Sequence, residues 1–409
     1  MAWLTERPIG LTYSREGAFP GYTIFCSVSG HYASMVDMQG KVVHQWHHKE
    51  GIQHLKMLVN GNLLIQTSPL EDAGGREKSG GSAGAMIELD FSSNTVWEHR
   101  DITQHHDYVR LENGNTVYLA WEPIPLEVSK KIQGGHHHEE DPEFMWGDVV
   151  REINGRGEVL TEWLSWEHLD FEEDVICPLE SYKEWTHANS IDVLPDGNWL
   201  ISFRLTSTVA IVDRESGALI WRWGPNQIPG DHDSKKWGSG ELSHQHNAHM
   251  LANGNILVFD NGCHRKRGPG YSRIVEIEKD TRKFVWSYIH PTLLAFYSFM
   301  ISGCERLPNG NTLITEGATG RIFEVTQKHK VVWEYISPWT VLSNFGPTPA
   351  VFRSYRIGLD DPGLEGMDLS GDKYGQLNSA IANGEVQTEP EYAKARKQAL
   401  KKKARKDKS

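Results

Sequence analysis

The chain has 409 residues, 38% hydrophobic and 23% charged, with a formal net charge of −12. Such a composition is typical of a globular protein and excludes disordered, collagen-like and small disulfide-dense chains. The charge is uneven: the segment from Lys394 to Ser409 holds nine Lys or Arg and one Asp, which leaves −20 on the other 393 residues. A body this acidic argues against nucleic acid as a partner.

Export and membrane signals are missing from the sequence. No apolar run approaches the roughly 18 residues of a membrane span, and Met1 to Pro8 lacks the basic start and apolar run of a signal peptide. Four cysteines are widely spaced without a Cys-x-x-Cys pair: Cys26, Cys177, Cys263 and Cys304. We therefore expect a cytoplasmic protein without a membrane span, whose cysteines are reduced thiols.

In chain order, one turn signal recurs five times. Asn-Gly or Asp-Gly between apolar runs is typical of β-hairpins, because both residues tolerate a positive φ. Each turn is followed by a short apolar strand, such as Leu63-Leu64-Ile65 or Ile256-Leu257-Val258. The five turns are Asn60-Gly61-Asn62, Asn113-Gly114-Asn115, Asp196-Gly197-Asn198, Asn253-Gly254-Asn255 and Asn309-Gly310-Asn311.

A second module recurs six times and consists of an acidic residue, a polar turn and a strand with a Trp. The acidic residues are Asp37, Glu88, Glu152, Asp213, Glu276 and Glu324, and the tryptophans are Trp46, Trp97, Trp163, Trp221, Trp286 and Trp333. With the strands around the Asn-Gly turns, each unit has four short strands and no helix. This repeat predicts an all-β fold, a six-bladed β-propeller of four-stranded blades.

Both chain ends are predicted to share one blade. The first unit begins at Gly21 without a leading strand, and the strand-like segment from Val351 to Ile357 has no partner. We expect this segment to supply the missing inner strand and to remove exposed sheet edges. Residues 1–357 are thus predicted to form the catalytic propeller. Residues 358–409 would be a C-terminal extension with a basic tail, either helical or disordered.

Histidines are concentrated on the leading strands, which line the channel of a propeller. Each of these residues can be placed by its distance from the first residue of the Asn-Gly or Asp-Gly turn that follows it. Four residues lie seven positions before that turn: His106, Asn189, His246 and Ser302. His187 and His244 lie nine positions before it. Seven and nine have the same parity, so these side chains are predicted to share one face. His54 lies six residues before its turn and requires a bulge to face the same way.

Other candidate residues accompany these histidines. Arg204 follows the third turn in an apolar strand, where a guanidinium needs an anion or solvent, so it is a candidate oxyanion clamp. Arg353 and Tyr355 on the proposed closing strand are, like His54 and His244, candidate substrate-binding residues. The run from His136 to His138 is interpreted as a solvated loop, with a metal tract or a flap over the channel as alternatives.

Three functions remain open on these residues. Neutral imidazole is a good nucleophile, so a covalent histidine with Arg204 beside it suits transfer of an anionic sulfuryl or phosphoryl group. Three or four imidazoles could instead hold a divalent metal, as in a propeller lyase or hydrolase. The third possibility is a non-catalytic binding propeller.

Several motifs resemble the bacterial aryl-sulfate sulfotransferases, from about Arg7 to Arg356. They are Pro20 to Phe25, Val36 to Trp46, the Asn-Gly-Asn turns, and His187-Ala188-Asn189 followed by Arg204. The resemblance implies a six-bladed propeller that transfers a sulfuryl group between phenols. It also implies that His246 is the sulfated nucleophile, that His106 is an active-site histidine, and that the other matched residues bind the sulfuryl group.

We therefore predict a ping-pong sulfotransferase that needs no cofactor and no metal. An aryl sulfate would sulfate His246, His187 or His106 would handle the leaving-group proton, and a phenol would then take the sulfuryl group. Arg204 and Asn189 would hold the sulfuryl oxygens. The partners are small-molecule aryl sulfates and phenols, whereas their identity and the oligomeric state stay open.

Overall fold

The computed structural model describes residues 8–69, 79–137, 144–224, 242–265, 269–343 and 346–389. Its strands are β1 (Gly10–Ser14), β2 (Gly21–Ser27), β3 (Gly30–Val36), β4 (Val42–Met57), β5 (Leu63–Thr67), β6 (Ala85–Leu89), β7 (Thr95–Arg100), β8 (Gln104–Arg110), β9 (Thr116–Pro123), β10 (Gly134–His136), β11 (Trp146–Ile153), β12 (Val159–Leu164), β13 (Ile176–Ser181), β14 (Ala188–Val193), β15 (Trp199–Phe203), β16 (Thr208–Val212), β17 (Leu219–Trp223), β18 (His246–Met250), β19 (Ile256–Asp260), β20 (Arg273–Glu278), β21 (Lys283–Ile289), β22 (Gly303–Arg306), β23 (Thr312–Glu316), β24 (Arg321–Val325), β25 (Val331–Ile336), β26 (Trp339–Ser343), β27 (Gly346–Thr348), β28 (Val351–Gly358) and β29 (Gln387–Thr388). The α-helices are α1 (Leu126–Ser129), α2 (Ser165–His168) and α3 (Gly375–Ala382).

These elements fall into two compact units. Unit 1 comprises residues 1–68, 86–98 and 305–409, and unit 2 comprises residues 69–85 and 99–304. In unit 2, three sheets have four antiparallel strands each, in the orders β12-β11-β9-β8, β14-β15-β16-β17 and β18-β19-β20-β21. In each sheet, neighbouring strands follow one another in chain order, which is the antiparallel meander of a propeller blade.

The sheets of unit 1 contain more strands. One has the order β28-β2-β3-β4-β5-β6-β7, and the other has the order β1-β25-β24-β23-β22. The long strand β4 pairs with β3 through Val42 to His47 and with β5 through Ile52 to Met57. The seven-stranded sheet therefore consists of two four-stranded meanders that share one continuous strand.

The prediction of an all-β propeller is confirmed by these antiparallel meanders. Among the described residues, however, five continuous sheets have four or more strands, not six separate ones. The difference arises at β4, because no break in pairing separates the first two predicted blades. The predicted closing strand is present: β28 pairs with β2 from Gly21↔Gly358 to Ser27↔Val351. The additional edge strand β1, which pairs with β25, was not predicted.

The repeated acidic residue has a structural role in at least four of the six sequence repeats. Its carboxylate accepts a hydrogen bond from the last Asn side chain of the Asn-Gly-Asn turn in the same sheet. The donor and acceptor pairs are Asn62–Glu88 at 2.7 Å, Asn115–Glu152 at 2.7 Å, Asn255–Glu276 at 2.7 Å and Asn311–Glu324 at 2.6 Å. The acid thus fixes the turn that precedes the neighbouring strand, which explains why both motifs recur together.

The repeated tryptophan joins neighbouring sheets of one unit. The indole Nε1 of Trp163 donates to the Gly217 carbonyl at 2.9 Å, and that of Trp221 donates to the Lys279 carbonyl at 2.9 Å. In unit 1, Nε1 of Trp333 donates to the Met38 carbonyl at 3.1 Å. In each case the acceptor lies in the polar turn of the next module. Packing and this hydrogen bond explain why a large aromatic with a polar handle recurs there.

The remaining expectations concern the chain end and the cysteines. In unit 1, Ile381 of α3 packs into the core that contains Phe25 and Trp333, whereas the basic tail lies outside the described residues. All four cysteines are buried thiols. None of the helices in the described part of the chain is long and apolar enough to cross a bilayer.

Candidate active site

In unit 2, the first strand of each sheet is hydrogen-bonded to the first strand of the next. The side chains that form these bonds lie six residues before the Asn-Gly or Asp-Gly turn that follows each strand. Asp107 accepts from the Ile191 N–H at 3.2 Å, Ser190 Oγ from the Ala248 N–H at 3.0 Å, and Asn247 Oδ1 from the Cys304 N–H at 2.8 Å. These bonds hold successive inner strands side by side. These bonds therefore fix the strands that hold the residues seven positions before each turn, which are His106, Asn189 and His246.

Bulges interrupt the alternation on which the predicted common face depends. The pairing register shifts between His105 and Tyr108 in β8, between Ala188 and Ser190 in β14, and between His246 and His249 in β18. As a result, the adjacent residues His105 and His106 are both buried, and their Nδ1 atoms are 2.8 Å apart. The prediction from strict alternation is thus wrong in detail. The backbone is bent so that neighbouring rings meet.

A chain of polar contacts runs from Asp148 to His106. His105 Nε2 lies 3.2 Å from Asp148 Oδ1, and the ring of His105 stacks on Trp121 with centroids 4.0 Å apart. Burial raises the pKa of Asp148, but hydrogen bonding and charge from His105 outweigh it and keep the pKa below its usual value. The ionised carboxylate places the His105 proton on Nε2. His105 Nδ1 then accepts from His106 Nδ1, which leaves the lone pair of His106 on Nε2.

His187 has a carboxylate partner of its own. Its Nδ1 donates to Glu184 Oε2, and its ring lies 4.6 Å from that of His106. Burial raises the pKa of Glu184, but the charge and hydrogen bond of His187 outweigh it and lower the pKa. An ionised carboxylate at Nδ1 orients the ring and stabilises the imidazolium form. Asp148 holds the same segment through Thr186 Oγ1 and the Ala188 N–H.

Both of these histidines have a left-handed backbone. The φ angle is +48° at His106 and +51° at His187, a region that residues with a Cβ seldom adopt. His106 is further confined by Gly81, where a Cβ would lie 2.0 Å from the imidazole ring. Backbone strain of this kind persists only where the surroundings hold it, as at functional sites.

His246 is oriented by an amide. Its Nδ1 lies 2.7 Å from Asn261 Oδ1, while Asn261 Nδ2 donates to the carbonyls of Ser298 at 2.8 Å and Ile301 at 3.0 Å. Since the amide N–H groups are engaged, Oδ1 must accept from His246. The proton of neutral His246 therefore lies on Nδ1 and the lone pair on Nε2.

Two predicted anion-binding residues contact the backbone next to these histidines: Asn189 in β14, and Arg204 in the turn after β15, outside the strand in which it was expected. Asn189 Nδ2 donates to the Gln245 carbonyl at 2.7 Å, immediately before His246. Arg204 donates through its backbone N–H to the His187 carbonyl at 3.2 Å, and its Nη1 lies 2.9 Å from Glu180 Oε1. One N–H of Asn189 and one guanidinium nitrogen of Arg204 are thus engaged within the protein.

The other predicted residues of unit 2 are placed as follows. His244 is fully buried, with Nε2 3.2 Å from Glu180 Oε1, and burial lowers the pKa of His244 to about 4 despite the Glu180 carboxylate. Ser302 Oγ donates to Ser298 Oγ at 2.8 Å. His136 ends β10 and His137 packs on Tyr182 with centroids 4.2 Å apart, whereas His138 lies outside the described residues.

Three predicted substrate-binding residues lie in unit 1. His54 follows the required register shift in β4, is buried, and has Nε2 2.9 Å from the Tyr355 hydroxyl. The guanidinium of Arg353 lies 4.9 Å from the centroid of Phe352. These residues form a cluster of their own within that unit.

Four polar residues of the site were missed in the sequence: Asp148, Glu180, Glu184 and Asn261. Three of these four residues are carboxylates in contact with histidines: Asp148 with His105, Glu184 with His187, and Glu180 with His244. Glu184 precedes His187 by three residues, a spacing that could have drawn attention to it. Asp148, Glu180 and Asn261 come from other strands and loops, with no local signal.

A comparison of the chain with protein families gives one match. A family model described as Arylsulfotransferase (ASST) matches residues 23–337. No curated protein matches the chain. Many solved structures resemble the chain, and three of them illustrate how low the similarity is. A protein of unknown function from Bacteroides caccae is 15% identical, with a TM-score of 0.48, over 83% of this chain and 100% of its own.

The other two are enzymes. Virginiamycin B lyase from Staphylococcus aureus is 12% identical, with a TM-score of 0.42, over 80% of this chain and 84% of its own. Hydrazine synthase from Kuenenia stuttgartiensis is 13% identical, with a TM-score of 0.42, over 78% of this chain and 77% of its own. Likenesses this weak carry no information on the reaction.

Proposed function

Because the chain belongs to the arylsulfotransferase family, we propose that it moves a sulfuryl group from an aryl sulfate to a phenol through a sulfated His246. The observation that supports this most strongly is the contact of His246 Nδ1 with Asn261 Oδ1 at 2.7 Å. It fixes the tautomer in which Nε2 has a lone pair. A neutral imidazole held in this form attacks without a strong base.

In the first half-reaction, His246 Nε2 forms a bond to sulfur and the bond from sulfur to the aryl oxygen breaks. The leaving phenolate needs a proton when it is a poor leaving group. We assign this proton to the imidazolium of His187, because Glu184 stabilises the charged ring. His106, whose ring lies 4.6 Å away, would share that proton.

In the second half-reaction, a phenol takes the place of the released product. Its hydroxyl gives its proton to neutral His187, its oxygen bonds to sulfur, and the nitrogen–sulfur bond breaks. His246 recovers its lone pair and His187 recovers its proton. The two half-reactions balance without an oxidant, a reductant or a cofactor.

The sulfuryl oxygens gain negative charge as either bond to sulfur breaks. Arg204 has five N–H donors and uses Nη1 toward Glu180, so its remaining donors suit these oxygens. We assign Asn189, whose Nδ2 donates to the Gln245 carbonyl directly before His246, as a further residue that contacts the sulfuryl group. Preorganised donors of this kind stabilise the charge that develops in the transition state.

A burst experiment tests the proposal. The protein is mixed with excess aryl sulfate and no acceptor, and phenolate release is followed on the millisecond-to-second scale. We expect about one equivalent of phenolate per chain, followed by a slow phase, as for other covalent intermediates. His246→Ala should abolish the burst, whereas His249→Ala on the same strand should keep it. Steady turnover by His246→Ala at the wild-type rate would contradict the proposal.

A further inference from the structure

A second group of potential ligands lies in unit 2 and contacts the Arg204 guanidinium through Glu180. One atom each of Cys177, His244 and His264 lies within 4.8 Å of the others, and Glu180 contacts both histidines. None of these residues except His244 was singled out from the sequence, because they come from three separate segments. The reaction proposed above assigns them no step.

Three of the distances among these atoms agree with one tetrahedral zinc site. Zinc bonds of ordinary length place two nitrogen or oxygen ligands about 3.3 Å apart and a nitrogen and a sulfur about 3.6 Å apart. Cys177 Sγ lies 3.6 Å from His264 Nδ1. Glu180 Oε1 lies 3.2 Å from His244 Nε2 and 3.7 Å from His264 Nδ1.

The surroundings suit a cation as well. Cys177 and His244 are buried whereas His264 is exposed, so a metal would have a dry inner side and a route from solvent. His244 Nε2, the atom that faces Glu180, makes no hydrogen bond of normal geometry within the described residues, although the ring is fully buried. Leaving such a nitrogen without a partner costs free energy, and binding a metal is one way to satisfy an imidazole.

We propose that Cys177, Glu180, His244 and His264 form a Zn²⁺ site. One thiolate, one carboxylate and two neutral imidazoles are donors that zinc accepts, and their two negative charges balance the ion. When zinc binds, the Cys177 thiol releases its proton to solvent.

The proposed site is linked to Arg204 through Glu180. In the structure Arg204 Nη1 lies 2.9 Å from the same Oε1 that faces the two histidines. A zinc ion bound to this oxygen would weaken the ion pair between Glu180 and the Arg204 guanidinium. Metal binding would therefore change the availability of Arg204, a consequence that rests on the function proposed above.

Metal binding can be measured without any substrate. The full chain is treated with a chelator, dialysed against Zn²⁺, and analysed for bound metal, and Co²⁺ is then used as a spectroscopic probe. We expect one bound Zn²⁺ per chain, whose binding requires these four residues. With Co²⁺ in its place, we expect an absorption band from thiolate-to-cobalt charge transfer. Cys177→Ser should remove the band, and His264→Gln should weaken binding by more than about tenfold.

Cys263→Ser is the matched control, because Cys263 is another buried thiol, with Sγ 3.4 Å from the Phe299 carbonyl. It should keep both the zinc and the band. Thermal melts of the metal-free proteins check that the variants fold, and His264 is exposed enough for its substitution to be tolerated. The absence of a cobalt band in the wild-type protein, or its persistence in Cys177→Ser, would overturn the proposal. Zinc retained on the run around His136 would not produce that band.

Discussion

Single residues decide the proton positions on which the proposed chemistry depends. An amide oxygen at Nδ1 places the lone pair of neutral His246 on Nε2, whereas the partner of His187 Nδ1 is a carboxylate, which places negative charge beside that ring. The same ring type is thus prepared for two roles, nucleophile and proton donor, by the atom that each Nδ1 contacts.

The role of Glu184 leads to a prediction about leaving groups. Glu184→Gln keeps the size and a hydrogen-bonding oxygen but removes the charge that stabilises imidazolium at His187. Sulfate esters of weakly acidic phenols need a proton donor and should react roughly tenfold or more slowly. Esters of strongly acidic nitrophenols should be nearly unaffected. Rates measured over a series of leaving groups check this, and an equal loss across the series would show that Glu184 has only a structural role.

Few of these residue-level partners could be predicted. The histidines were found because they recur at equal distances from recognisable turns. Asn261 and Asp148 lie on other parts of the chain, and only the fold brings them to His246 and His105. The bulges in β8, β14 and β18 are also a product of tertiary packing, so alternation along a strand could not predict which neighbouring rings meet.

At the scale of elements, the repeated Trp is a joint between neighbouring sheets. Trp333→Phe keeps most of the packing but deletes the donor to the Met38 carbonyl. Loss of one buried hydrogen bond should lower the free energy of unfolding by about 1 kcal/mol and the melting temperature by roughly 1–3 °C.

The control for this prediction is Trp46→Phe in the same unit. Trp46 is also fully buried, but its Nε1 makes no hydrogen bond within the described residues. Calorimetry should therefore show a smaller loss for Trp46→Phe than for Trp333→Phe. Equal losses would mean that apolar packing alone explains the recurrence of Trp.

The elements themselves were predictable because their signals are local. Asn-Gly turns, the acid and the Trp each recur with the four-strand unit, and the terminal strand from Val351 was recognised by having no partner of its own. The continuity of β4 was not predictable, since it depends on Lys49 to Gly51 continuing the strand between two meanders, with Gly51 at a φ of +75°, and not forming a loop.

At the scale of the whole molecule, a half-buried carboxyl makes stability depend on pH. Glu305 Oε2 accepts from the Arg356 N–H at 3.0 Å, and burial raises the pKa of Glu305 to about 7 against the effect of that bond and of the Arg356 charge. The folded carboxyl therefore holds its proton at a pH where the unfolded one has lost it. Stability from this group is complete below about pH 4.5 and declines as pH rises to about 7.

Glu305→Gln should remove this dependence, because the amide oxygen still accepts from Arg356 and cannot ionise. At pH 8 the variant should be more stable than the wild type by up to about 3 kcal/mol, and at pH 4 the two should be alike. Denaturant unfolding at both pH values measures this. A variant that is less stable at pH 8 would show that the carboxyl is ionised and stabilising in the fold.

The central claim is that His246 becomes covalently sulfated, and intact-mass spectrometry tests it most directly. The protein is incubated with an aryl sulfate, quenched without acid, and analysed whole and as peptides. We predict a gain of one sulfuryl group on the peptide that contains His246, its disappearance when a phenol is added, and no gain in His246→Ala. Turnover without any adduct, or an adduct that persists in His246→Ala, would contradict the account.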